Sequence, residues 1–218
     1  MDEVIKQMKN KEKYSVEDLR KIVEILRSEN GCPWDKVQTH KSIRQDLLEE
    51  AYEAVEAIDM ESDEMLCEEL GDVMLQVVFH SSIAEGEGRF TIEDVCTGVC
   101  RKLIERHPHV FGEIKVETVD DVLTNWDRIK QNSKKRNTLK EQFDGVCKAL
   151  PALMLANKYV HKANKNNIEI KTKTQIEGLN EEKAGDLMFD IVVLCEKNNI
   201  DPESALREKC KRFLCDVT

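Results

Sequence analysis

The hydrophobic positions of this 218-residue chain recur every three or four residues over most of its length, which is the period of an amphipathic helix. No segment alternates long enough to specify a strand, and Ile168–Thr174 is the single candidate. The helix starts are well marked. Ser15-Val-Glu-Asp18, Ser62-Asp-Glu64, Thr91-Ile-Glu-Asp94 and Thr118-Val-Asp-Asp121 each place a hydroxyl where an N-cap is wanted, with carboxylates in the first turn, where they favour the helix dipole. The pattern predicts helices over 15–29, 41–60, 62–85, 91–106, 118–135, 151–165, 179–198 and 202–214. Short connections between most of them make the expected fold an all-α helical bundle.

Turn residues divide the chain. Gly86-Glu-Gly88 ends the third predicted helix, and His107-Pro-His109 with Gly112 ends the fourth. Asn132–Gly145 is polar and basic and reads as a linker. The expected organisation is a first domain over 1–135, a linker over 136–149 and a smaller helical unit over 150–218. That unit echoes the first: Glu68-Glu-Leu-Gly-Asp72-Val-Met-Leu-Gln-Val-Val aligns with Glu182-Lys-Ala-Gly-Asp186-Leu-Met-Phe-Asp-Ile-Val. The echo is incomplete, because Lys183 stands where the first copy has Glu69 and no second EExxE precedes it. Residues 150–218 are therefore read as a shortened, degenerate copy.

Composition sharpens this picture. Aromatics are only 5% of positions, with nine Gly and four Pro, a balance that favours helices over sandwiches, barrels or disorder. A net charge of −10 argues against a chain that wraps a nucleic-acid backbone. The charge is unevenly placed: Gln45 to Gly88 contains fourteen acidic residues and no Lys or Arg. Eight cysteines without a CxxC pair read as reduced thiols, and Cys96 and Cys100 as small buried hydrophobes rather than half of a metal site. There is no apolar leader at the N-terminus and no apolar run near the roughly 18 residues a membrane span needs, so the expected location is the cytoplasm.

The acidic block carries the candidate chemistry. At about 100° per residue, an apolar stripe through Leu47, Ala51, Ala54, Val55 and Ile58 places Glu50 and Glu53 together on one side of it. The next helix, with a stripe through Leu66, Leu70, Val73 and Val77, places Glu69 and Asp72 at the same offset. Two antiparallel helices packed by those stripes bring four carboxylates to one groove. A lone ExxE is usually a solvated face, but two such pairs at matched offsets, with no interspersed Lys, repel one another unless cations neutralise them. All-oxygen ligands suit Mg²⁺ or Mn²⁺. An EF-hand starting at Asp59 fails, because its sixth position is Glu64 and its twelfth is Leu70.

At these residues the sequence resembles the MazG family of nucleoside triphosphate pyrophosphohydrolases, whose pattern EExxE, a spacer and ExxD reads here as Glu49-Glu50-x-x-Glu53, fifteen residues and Glu69-x-x-Asp72. Gly31-Cys-Pro-Trp-Asp35 with Gln38-Thr-His40, Glu87-Gly-Arg-Phe90, Arg106-His-Pro-His-Val-Phe111 and Trp126-Asp-Arg-Ile-Lys130 match the same family in order. The resemblance implies an all-α fold whose helix pairs associate across a homodimer, and Mg²⁺-dependent hydrolysis of NTP or dNTP to NMP and pyrophosphate in nucleotide-pool housecleaning. By motif it implies that Glu50, Glu53, Glu69 and Asp72 hold metal and that Glu49 orients or deprotonates the attacking water. Lys102 and Arg106 would contact the triphosphate, Trp126 and Lys130 would contact nucleotide and phosphate, and Trp34 and His40 would belong to the substrate site. Two alternatives stand beside this reading: a helical oligomer that binds nucleotide without turnover, and a narrower all-α diphosphatase acting on dUTP, dCTP or phosphoribosyl-ATP.

Overall fold

The computed structural model describes residues 2–114, 116, 118–119, 121–122, 125–126, 128–129, 138–169 and 176–217, and among these every regular element is a helix. The chain falls into two compact units, Met1–Glu105 and Arg106–Thr218. The first contains α1 (Asp2–Lys9), α2 (Val16–Arg27), α3 (Pro33–Val37), α4 (Arg44–Asp59), α5 (Asp63–Gly86) and α6 (Ile92–Arg106) up to its last residue. The second contains α7 (Pro108–Phe111), α8 (Leu139–Asp144), α9 (Ala152–Lys165), α10 (Glu181–Lys197) and α11 (Pro202–Val217). Helices α1, α3, α7 and α8 were not expected from the sequence. All are eight residues or shorter, too short for an apolar period to show. Of the helix expected over 118–135, several residues are helical and the rest lie outside the described residues, as do residues 170–174 of the candidate strand; Ile168 and Glu169 are not in a strand.

The caps explain where the helices begin. The Ser15 hydroxyl accepts from the Asp18 backbone N–H, and the Ser15 N–H donates to the Asp18 carboxylate at 2.8 Å. Thr91 with Asp94 and Thr118 with Asp121 repeat the arrangement, and Ser62 accepts from the Met65 N–H. Asp18 is buried, and Lys11 donates to both of its oxygens at 2.6 Å. The Lys11 ammonium and the Ser15 donors hold its carboxyl well below the usual aspartate range.

The core of the first unit packs α2 against α5 through Val23, Val78, Phe79 and Ile83, with Ile43 reaching in from the start of α4. Arg27 lies over the Phe79 ring and donates to the Asp35 carbonyl at 2.6 Å, which ties α3 to this core. Gly31 makes the turn into α3 possible, since a Cβ there would sit 2.2 Å from the Leu26 carbonyl oxygen.

Helices α4 and α5 pack antiparallel, and the stripes expected from the sequence are buried only in part: Ala54 is buried and Leu47, Leu66 and Val73 are half-buried. On α4 the buried positions are Ala54 and Ala57, while Val55 and Ile58 are 52% and 57% exposed; on α5 Leu70 is 51% exposed. Alanines let the two backbones approach closely, and the bulkier apolar residues beside them are left on the outside. This rotation puts Glu50 in line with Ala54 and Ala57, and Glu69 and Asp72 in line with Gln76 and Ile83. The carboxylates therefore occupy the seam itself and not its flank.

In the second unit, Phe143, Val146, Leu155, Tyr159, Ala163 and Cys210 form the core. Phe143, fully buried, stacks at an angle against Tyr159 with ring centroids 5.7 Å apart. Thus α8, within the stretch read as linker, supplies the centre of this core. Helix α9 follows Pro151, and its first free N–H, on Ala152, is met by the Glu203 carboxylate of α11 at 2.7 Å. Helix α10 contributes no buried residue.

A candidate metal centre on the α4–α5 seam

Oxygen atoms of Glu50, Glu69 and Asp72 lie within 4.8 Å of one another, and all three residues are half-buried. Among the described residues this is the only such group of His, Cys, Asp or Glu side chains. Burial pushes the Glu50 carboxyl up, and the charges of Asp72, Glu53, Glu69 and Asp46 add to it. Burial likewise raises Glu69, with the neighbouring carboxylates of Glu53, Glu68 and Asp72 adding to it. Glu53 is thus a neighbour of the group, although more exposed than the other three. Glu49 is exposed and stands outside the group of three.

This arrangement is unfavourable for the apo protein, because converging carboxylates in a partly desolvated seam raise each other's proton affinity. A divalent cation reverses the sign of that energy. The donors are all carboxylate oxygens at a spacing one ion can bridge, so the residues present fit Mg²⁺ or Mn²⁺.

The motif before α4 is held by its own hydrogen bonds. The Ser42 hydroxyl donates to the Gln38 side-chain Oε1 at 2.6 Å, the Gln38 side-chain amide donates to the Trp34 backbone carbonyl at 3.0 Å, and the Ser42 N–H donates to the Thr39 hydroxyl. The turn leaves Trp34 58% exposed and directs His40 against α5. There the His40 and His80 rings stack 9° from parallel, with their Nδ1 atoms 2.8 Å apart. Arg89 reaches the other ring nitrogen of His40 and also pairs with Glu87. Burial, then the neighbouring His40, push the His80 imidazole below its usual range. Sequence reading found His40 but missed His80, and the missed signal was its place on the Glu69–Asp72–Gln76 face of α5.

Lys102 is exposed on α6. Arg106, one turn on, is buried, with its guanidinium 5.4 Å from the centroid of the Trp126 ring and its Nε without a hydrogen-bond partner. His107 packs edge-on against the same Trp126 ring at 4.8 Å. The buried Nδ1 of His109 is likewise without a partner. The structure therefore joins Arg106 to Trp126, two residues twenty positions apart, as a cation–π pair. Lys130 lies outside the described residues. Cys96 and Cys100 are exposed on α6, contrary to the expectation of burial, because this stretch of the helix covers no core.

Comparison with known proteins bears on the same segment. The family model for the MazG nucleotide pyrophosphohydrolase domain matches residues 38–111, which contain all three clustered carboxylates. The Thermotoga maritima protein named nucleoside triphosphate pyrophosphohydrolase/pyrophosphatase MazG is 40% identical over 214 residues, covering 91% of this chain and 82% of that protein. The Escherichia coli nucleoside triphosphate pyrophosphohydrolase is 34% identical over 220 residues, covering 91% of this chain and 84% of that one. The Bacillus subtilis protein YabN is 51% identical over 139 residues, which is 64% of this chain but 28% of that longer protein. The match extends along most of the chain in relatives of similar length and includes the segment that builds the acidic seam, so the chain belongs to the MazG family of nucleoside triphosphate pyrophosphohydrolases.

Proposed function

We propose that this protein is a Mg²⁺-dependent hydrolase that cleaves a nucleoside triphosphate, ribo or deoxy, between its α and β phosphates, giving the monophosphate and pyrophosphate. The observation that carries this reading is the convergence of Glu50, Glu69 and Asp72 on the α4–α5 seam, in a stretch, Gln45 to Gly88, that contains no Lys or Arg. Glu53 completes the set as the fourth carboxylate. A bound divalent cation supplies charge neutralisation at the phosphate oxygens and lowers the pKa of water. The chain's own residues do the rest. Glu49, exposed beside the group, orients the attacking water and takes its proton. Lys102 and Arg106 hold the β and γ phosphates, where a bidentate guanidinium and a compact ammonium have distinct uses. Trp126 and Lys130 contact nucleotide and phosphate, and Trp34 and His40 border the substrate.

The exposed apolar residues flanking the seam, including Val55, Ile58, Leu70 and Met74, support a homodimer in which the helix pairs of two chains associate. Residues 1–135 form the catalytic domain and 150–218 the degenerate copy, and the enzyme works in the cytoplasm, clearing nucleotides from the pool. No described helix is long and apolar enough to cross a membrane.

The test incubates the full chain with Mg²⁺ and each NTP and dNTP and detects phosphate with and without inorganic pyrophosphatase. Phosphate that appears only with the pyrophosphatase is the expected result. Phosphate release without it would mean that another bond is broken, and tight nucleotide binding with no product would favour the non-catalytic reading.

A further inference from the structure

Glu69, Asp72, Gln76 and His80 follow one another along a single face of α5 at spacings of three, four and four residues. It is the face that packs on α4, where polar groups are costly unless they are bonded. Two of the four answer to a cation and His80 answers to His40, which leaves Gln76. Its side chain is only 8% exposed, and its Oε1 has no hydrogen-bond partner. An open buried acceptor on this face marks a place where a donor belongs.

The histidine pair shows where that donor comes from. A guanidinium only donates, so the His40 Nε2 that Arg89 contacts must accept, and the His40 proton sits on Nδ1. That Nδ1–H then donates to His80 Nδ1 across 2.8 Å, which puts the His80 proton on Nε2. Each donor in the series points from the Arg89 end into the α5 face. Along α5 the next polar residue after His80 is Gln76, one turn nearer the carboxylates, and the next after that is Asp72.

We propose that Arg89, His40, His80 and Gln76 form a directed hydrogen-bond relay in which the His80 Nε2–H serves Gln76 Oε1 through one bridging water, and the Gln76 amide N–H group is thereby turned onto Asp72. Gln76 and His80 are positioning residues: they fix the orientation of a carboxylate that holds the cation, as polar partners behind ligands commonly do. The relay rests on the metal-site reading above, but not on turnover.

The test measures Mn²⁺ binding to the full chain by calorimetry in the absence of nucleotide, for wild type, Gln76→Met, His80→Phe and the double variant. Each single change is expected to weaken Mn²⁺ binding by about tenfold. The double variant is expected to be no weaker than either single one, because both cut the same series. Gln76→Met binding within twofold of wild type, or losses that multiply in the double variant, would overturn the relay. Nitrogen NMR of the wild-type histidines at neutral pH needs no variant to fold. It should find His40 protonated at Nδ1 and His80 at Nε2, and the opposite tautomers would overturn the relay as well. Wild type that binds no Mn²⁺ would remove both the relay and the metal site, whereas Mn²⁺ binding without hydrolysis would remove only the hydrolase reading.

Discussion

Helices α5 and α10 carry a weakly repeated sequence and end in different states. Both carry a Gly-Asp pair, at Gly71-Asp72 and Gly185-Asp186, followed by a similar apolar run. Helix α5 packs on α4 and α2 and buries six residues, Phe79 among them. Helix α10 buries none: Leu187, Phe189, Ile191 and Leu194 are 42%, 69%, 51% and 54% exposed. What differs is the partner helix. The EExxE helix α4 gives α5 both a packing surface and the carboxylate Glu50 that faces Asp72. Helix α10 has no counterpart of it among the described residues, and Lys183 replaces the acid one turn before Asp186. Among the described residues, carboxylates gather only where a second acidic helix closes on the ExxD sequence.

The largest effect should separate the two acids that the repeat aligns. Removing one charge from the seam by Asp72→Asn, Glu50→Gln or Glu69→Gln should lower kcat/KM for pyrophosphate release by about 10²- to 10³-fold, while Asp186→Asn should leave it within about twofold. Comparable losses at Asp72 and Asp186 would break the contrast drawn here. The next effect is on stability. Phe143 anchors the second unit, and Phe143→Ala should cost about 3–5 kcal/mol in urea denaturation followed by circular dichroism.

Acid dependence should also differ by region. Glu50 and Glu69 have proton affinities raised in the folded state, so the folded apo protein binds protons more readily than the unfolded chain. Their contribution is favourable at low pH and is lost as pH rises from the ordinary glutamate range through the raised values. The apo melting temperature of Glu50→Gln should therefore exceed that of wild type at pH 7, and saturating Mg²⁺ should reverse the order. Asp18 behaves in the opposite sense: its depressed value makes a contribution present at neutral pH that is lost as pH falls through that depressed value. Ser15→Ala, which removes the cap in front of it, should cost about 1 kcal/mol by the same denaturation assay. The smallest effect is expected from Lys183→Glu. Restoring the acid in the second copy should create no new Mn²⁺ site, because among the described residues no group of carboxylates gathers around Asp186.

Much of this architecture was legible in the sequence. Capping pairs such as Thr91 with Asp94 fixed helix starts because the signal is local: a hydroxyl, a carboxylate three residues on and the backbone between them. The acidic pairs were legible for the same reason, being adjacent turns of two consecutive helices. The rotation of α4 on α5 was not. The apolar stripe read on α4 held Ala54, Val55 and Ile58 together, whereas the structure buries Ala54 with Ala57 and leaves the two larger side chains exposed. Nor were long-range pairs visible, since nothing local links His40 to His80 or Arg106 to Trp126. Helix α8 escaped because its six residues lie in a basic, polar stretch, although Thr138 and Glu141 carry the same capping signature that marked the longer helices.

The central claim is that the α4–α5 seam directs water to the α phosphorus of a nucleoside triphosphate. Turnover in H₂¹⁸O with Mg²⁺, followed by mass spectrometry of both products, tests it most directly. One ¹⁸O atom in the monophosphate and none in pyrophosphate is the predicted result, and label in the pyrophosphate, or phosphate released in place of pyrophosphate, would contradict it.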